Sequence, residues 1–282
     1  MSEDATTDRA LIDVVRRVDH DRFLCALFVP PDRRAALFAL IAFNHEIARV
    51  RESVSEPMLG QIRLQWWREA IEGIYSGTPR RHEVVTPLAA AIQRHNLSRA
   101  HFEALIDARE RDLDDTSFAD MAALEAYAEA TAAPLGALMA EALGAGGSAE
   151  TLDAARSAAV AFALVGLMRA VPFHAAQSRF YLPADRLARH GLTPADVFAG
   201  RFSPALGVVI GEVLERAAAH QPVVREAGRS IPRAARAVLL PAALAAMYAT
   251  RLGALGNDPY DSRLTIGPLR RQMALWAASL RG

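Results

Sequence analysis

Four stretches of the chain carry side chains of the kinds that hold anions or metal ions, and each lies in a helical pattern. The first runs from Phe43 to Glu52, where Glu46 and Arg49 are three apart and share a helix face. They read either as a solvated ion pair or as part of a site. The second runs from Ile62 to Ala70, with Trp66 and Trp67 flanked by Arg63 and Arg68. One Trp is expected in the core and the other at a groove; an Arg-lined mouth for an anionic ligand is the functional alternative. The third, Arg109 to Asp115, groups acids that could hold Mg²⁺, although charge clusters at a helix end are more often solvated. Asp112 lies close to one turn beyond Ala108 and Arg109, and a position facing inward with them is one reading of it. The fourth runs from Met168 to Pro183. Arg169 there follows a wholly apolar helix, so it needs a partner, and a carboxylate on a facing helix is expected. His174 is either a ligand or an ordinary structural histidine.

Several chemistries are excluded. There is no lysine, so all 32 basic residues are Arg and Schiff-base catalysis by Lys is ruled out. The single cysteine, Cys25, excludes an intrachain disulfide and a Cys-based zinc site; in its apolar run it reads as a buried, inert thiol. No Gly-rich phosphate loop, His-Glu-x-x-His motif or G-x-S-x-G elbow occurs, so metal-assisted chemistry would have to use acids on helix faces. The 32 acidic residues balance the basic ones, so no global field attracts nucleic acid.

The elements that must position these residues are helical almost throughout. Ala, Leu, Arg and Glu dominate, and no alternation long enough for a strand occurs. Punctuation predicts helices over about 33–51, 58–75, 86–95, 98–114, 119–143 (with a bend at Pro134) and 149–169, the last capped by Ser148, with three or four more beyond. The helix ending at Arg169 is apolar nearly all round and should lie at the centre of a bundle. Without a flexible linker, residues 1–282 read as one domain, with 1–20 a loosely ordered start. The first residues are polar and acidic, unlike a signal peptide. The longest unbroken apolar run, Ala158 to Met168, falls short of the roughly 20 residues a spanning helix needs. The apolar segment at Leu239-Leu240-Pro241 raises membrane contact, with core packing as the alternative.

In this order, the stretches resemble the squalene/phytoene synthase family from about Phe23 to Gly191, and more faintly to the end. Leu37 to Phe43 fits the start of that family's first acidic motif, Asp112-Leu113 an Asp-Leu dipeptide, Leu124 to Tyr127 and Gly136 the next helix, and Arg179 to Pro183 the closing signature. Arg169 matches the Arg of the second acidic motif. The acids themselves are largely replaced: Ala48, Arg49 and Glu52 stand at the first motif, and Ala170 and His174 at the second. The runs Arg22 to Leu27, Ala42 to Asn44, Ser53 to Pro57, Arg94 to Leu97 and Asp112 to Asp115 resemble a branch that includes a mitochondrial assembly factor of respiratory complex I.

The resemblance implies an all-α, single-domain bundle of the isoprenoid synthase type around a central cavity. Family members join prenyl diphosphates head to head, with Mg²⁺ held by the acidic motifs. With those acids replaced, the expectation is a non-catalytic protein without a cofactor. It would bind a respiratory-complex subunit or assembly intermediate, or a prenyl or lipid-like ligand, and no nucleic acid. A bacterial cytoplasmic location is expected, with peripheral contact at the inner membrane as an option. The first alternative is an active prenyltransferase using Mg²⁺ on Glu46, Glu52 and Asp112. The second is a different enzyme gripping an anionic substrate with Arg49, Arg63 and Arg169. The residues expected around the cavity are Glu46, Arg49, Glu52, Arg63, Trp67, Arg109, Asp112, Arg169, His174, Arg179 and Tyr181, with Arg169 paired to Glu46 or Asp112 across it.

Overall fold

The structure, a computed structural model, describes residues 3–114, 116–228 and 230–281, with side-chain surroundings from residue 9 to residue 280. Asp115, part of the third stretch, lies outside the described residues. The helices are α1 (Glu3–Val18), α2 (His20–Ala26), α3 (Pro31–Ala48), α4 (Pro57–Tyr75), α5 (Val85–His95), α6 (Arg99–Ala108), α7 (Met121–Ala142) and α8 (Ala149–Arg169). They continue with α9 (Val171–Ala176), α10 (Ala184–Arg189), α11 (Pro194–Phe198), α12 (Pro204–Ala218), α13 (Gln221–Ala227), α14 (Leu240–Gly253) and α15 (Pro268–Arg281). Among the described residues the only β feature is an isolated parallel bridge between Phe118 and Pro183. The chain is all-α, as its composition demands.

α8 is the axis of the bundle. Ser148 caps it by accepting from the Thr151 amide at 3.2 Å. α7, α12, α13 and α14 pack around it. By length and composition α8 could cross a membrane, but more than half of its apolar window is buried in the bundle, as in a core helix. α7 can lie close to α8 because position 136 has no side chain. A Cβ there would stand 2.6 Å from the Ala155 carbonyl oxygen. Pro134 sits inside α7, which runs unbroken from Met121 to Ala142.

Two large apolar clusters fill most of the bundle, beside a small third of Ala158, Val224 and Ala242, and α7 and α8 contribute to both large ones. One gathers α3, α4, α5 and α6 around Phe43, Trp67, Leu88 and Phe102; the other gathers α12 and α14 around Leu164, Met168, Ile210 and Leu244. The start of the chain, expected to be loosely ordered, forms α1, with Leu11 and Val15 buried against α3. Leu240 and Pro241 are buried in α14, so core packing explains that apolar segment.

The helix expected over 98–114 ends at Ala108. It continues as a 3-10 turn, Arg109–Leu113, in which Asp112 and Leu113 are buried. Tightening the last turn satisfies carbonyls an α-helix would leave open and rotates Asp112 into the protein.

Candidate functional site

Asp112 is the centre of the site. Its side chain is 7% exposed, and the Arg109 side chain beside it 13%. The Arg109 Nη1 donates to Asp112 Oδ2 at 3.1 Å and to the Tyr127 hydroxyl at 3.3 Å. The hydroxyls of Tyr127 and Tyr181 donate to Asp112 Oδ1 at 2.6 and 3.2 Å. Arg179 donates to the Asp112 carbonyl at 3.2 Å and to the Tyr181 hydroxyl. Burial and the adjacent carboxylate push the Tyr181 phenol up to about 12, and Tyr127 is raised for the same reasons. Both therefore act as neutral donors.

The matched signature Arg179 to Pro183 is held here by main-chain bonds. The amides of Ala184 and Asp185 donate to the carbonyls of Phe118 and Ala119 at 2.8 and 3.1 Å. The rings of Phe118, Tyr127, Tyr181 and His174 then pack on one another, His174 and Tyr181 at 4.5 Å between centroids. His174 Nδ1 is buried without a hydrogen-bond partner, and burial together with Arg179 lowers its pKa to about 4. His174 is thus a neutral packing ring. The cleft that reaches Asp112 has a volume of about 40 Å³, room for roughly three waters rather than a prenyl chain. At Asp112 the expected cavity is closed by aromatic rings.

Arg169 does have a carboxylate partner, but neither of those expected. Its Nη1 lies 3.5 Å from Asp21 Oδ2, on α2, and its guanidinium sits 3.5 Å over the Tyr248 ring of α14. Asp21 is buried and also accepts from the Tyr248 hydroxyl at 2.9 Å and from Arg271 of α15 at 2.9 Å. The expected pairings fail because those acids are taken: Asp112 by Arg109 and two tyrosines, Glu46 by Arg49 at 3.5 Å. Sequence reasoning missed Asp21, Tyr248 and Arg271. The available signal was a lone Asp on the otherwise apolar inner side of α2, facing an Arg that needed a partner.

The remaining residues do not join either group. Glu52 and Arg63 are exposed. Trp67 is buried edge-on to Phe43 at 5.4 Å, while Trp66 is partly buried beneath Arg80. Arg68 is held by Asp107 and Glu110, and Trp66 packs against Arg80 and His82. Glu125 pairs with Arg216 and lies 3.3 Å from His220. Cys25 is buried, and burial raises its thiol far above the usual range.

Mg²⁺ needs several carboxylates facing one ion, because it sheds water reluctantly. Among the described residues no group of three or more His, Cys, Asp or Glu side chains is placed to hold a metal. Glu46, Glu52 and Asp112 therefore do not converge, and both buried acids are already bound by arginines. The residues described do not fit the ion.

The all-α bundle around one apolar helix is of the isoprenoid synthase type, as in the solved squalene and dehydrosqualene synthases, and the chain belongs to the squalene/phytoene synthase family, whose model matches residues 15–271. Within it, the chain is 32% identical over 277 residues to complex I assembly factor 6 of NADH dehydrogenase (ubiquinone) from Bos taurus, covering 96% of this chain and 82% of that one. It is 28% identical over 193 residues to presqualene diphosphate synthase from Rhodopseudomonas palustris, covering 68% of each. The fold is that of a squalene synthase from Alicyclobacillus acidocaldarius, with a TM-score of 0.79 at 20% identity over 90% of this chain and 96% of the other.

Proposed function

We propose that this protein is a non-catalytic member of its family that acts by binding, and that it assists assembly of a respiratory NADH dehydrogenase in a bacterial cell, working without a cofactor. The observation that carries the reading is the internal use of both buried carboxylates. Asp112 is consumed by Arg109, Tyr127 and Tyr181, and Asp21 by Arg169, Arg271 and Tyr248. A site that must gather Mg²⁺ and diphosphate needs excess negative charge for the metal and free cations for the anion. Here no negative charge is left over for a metal: Asp112 is bound by Arg109, and the single carboxylate of Asp21 is shared by Arg169 and Arg271. The likeness to complex I assembly factor 6 supports a subunit or assembly intermediate as the partner. The protein then works in the cytoplasm, against the inner membrane face where such a complex is built.

The likeness to presqualene diphosphate synthase favours a second reading, head-to-head condensation of prenyl diphosphates. One experiment separates the two. Purified protein is incubated with farnesyl or geranylgeranyl diphosphate, Mg²⁺ or Mn²⁺, with and without NADPH, and released diphosphate and lipid products are measured. No turnover beside an active synthase, together with loss of NADH dehydrogenase assembly on gene deletion, supports the assembly reading. Turnover abolished by Arg169→Ala overturns it.

A further inference from the structure

α15 carries its apolar side chains on the wrong side for a core helix. Leu269, Met273, Trp276 and Leu280 are 74, 71, 63 and 64% exposed. Their spacing of four, three and four residues aligns them in one stripe along the helix. The opposite side faces the bundle, with Leu275 fully buried and Arg271 bonded to Asp21. The orientation is therefore locked, and the stripe points to solvent.

The charged residues that α15 and α14 themselves contribute have one sign. From Ser262 to the end the sequence holds four Arg and no Asp or Glu; Arg271 turns inward to Asp21 and Arg263 pairs with Asp261, which leaves Arg270 and position 281, and α14 beside them adds Arg251 and no acid. The nearest preceding acid, Asp261, is neutralised by Arg263 at 2.6 Å. Between α14 and α15 lies an open groove of about 290 Å³, lined by Ala246, Met247, Thr250, Arg251, Ala254 and Arg270. Apolar walls beside two guanidiniums match an acyl chain beside its phosphate.

We infer that the outer face of α15, with the groove against α14, docks this protein on an anionic phospholipid bilayer. An amphipathic helix with Trp and Leu on one face and Arg at its flank lies in the headgroup boundary with its apolar side sunk about 5–10 Å. Trp suits that boundary because its ring is apolar and its N–H finds a partner there. Arg reaches back to the phosphates. A protein partner fits less well, since one convex helix offers much less than the roughly 800 Å² per side of a standard interface. The inference deepens the membrane-face placement proposed above and rests on that placement. Its test reads lipid binding alone, so its failure leaves the assembly role standing, and failure of the assembly role leaves lipid binding standing.

The test mixes the full chain with vesicles of phosphatidylcholine containing about one-third phosphatidylglycerol, measuring co-sedimentation and Trp emission. Binding with a blue-shifted emission, weakened by salt and absent on pure phosphatidylcholine, is expected. Met273→Ser with Trp276→Ser, both exposed, should weaken it on the order of 100-fold while leaving the melting temperature unchanged. Arg270→Gln should weaken it about five-fold. No sedimentation, or equal sedimentation of the double variant, overturns the inference. So does a wild-type dimer in solution that the double variant converts to monomer, which would assign the stripe to a second copy.

Discussion

Asp112→Asn separates a structural carboxylate from one kept for a ligand. The substitution keeps the shape of the side chain but removes its charge. It leaves the buried Arg109 guanidinium facing an uncharged neighbour and sets the new amide donors against a cation that is itself only a donor. Breaking a buried pair from one side costs about 3–5 kcal/mol. The Tyr127 and Tyr181 hydroxyls can still donate to the amide oxygen, but they lose the charge-assisted part of those bonds, on the order of 1 kcal/mol. Because the amide oxygen keeps both tyrosine donors, the total falls at the low end of that range, roughly 3 kcal/mol, about a fifth to three fifths of the stability of a typical domain. For a chain of this size that lowers the melting temperature by about 6–12 °C. Adding Arg109→Leu removes the stranded charge, so the double variant should be less destabilised than the sum of the singles by about 1–2 kcal/mol. Urea titration of the four proteins measures the cycle. If Asp112→Asn is neutral or stabilising, the carboxylate is held under electrostatic strain, as in sites kept for ligands, and the account of a self-satisfied core fails.

Asp21→Ala should empty the cradle of Arg169, Arg271 and Tyr248 and turn it into an anion site. Calorimetry with inorganic diphosphate should then show binding that the wild type lacks; equal binding by both proteins would mean that Asp21 does not block the cradle. Gly136→Ala places a methyl 2.6 Å from the Ala155 carbonyl, a backbone atom that cannot swing away. It should cost about 1–3 kcal/mol in denaturant unfolding, and an unchanged midpoint would contradict the close packing of α7 on α8. His174 is neutral when folded, with a pKa of about 4, against about 6.5 when unfolded. The unfolded chain therefore binds the extra proton, and stability should fall as pH drops from about 6.5 toward 4, by at most about 3 kcal/mol. The fall between pH 7 and 5 should shrink in His174→Gln.

Some of this was legible from residue types alone. The position of α8 followed from an apolar surface with no polar face to offer water. Its start followed from Ser148, the last polar residue before the helix. Asp112 was readable as inward because it shares a turn with Arg109, although the 3-10 tightening that completes the rotation leaves no composition signal. Long-range charge matching was not legible. Arg169 needed a carboxylate, but periodicity fixes only faces, and it could not choose Asp21 over Glu46 or Asp112. Glu52 and Arg63 were drawn into the site by their place in matching stretches, yet they face solvent, where a charge needs no partner. α15 shows the converse. Its apolar stripe is plain in the sequence, and periodicity would have turned it inward; the bond from Arg271 to Asp21 decides otherwise.

That bond joins residues 250 positions apart, and the Tyr248 bond to the same carboxylate spans 227. The order of synthesis therefore matters. The cluster built on α3 to α6 can condense while the ribosome is still making later helices, but Asp21 stays without its full set of partners until α15 emerges. Closing so long a loop late is slow compared with helix packing nearer in sequence. Nascent chains cut short before Arg271 should carry an under-paired acid on α2, a natural mark by which quality control tells a copy without α15 from one that has it.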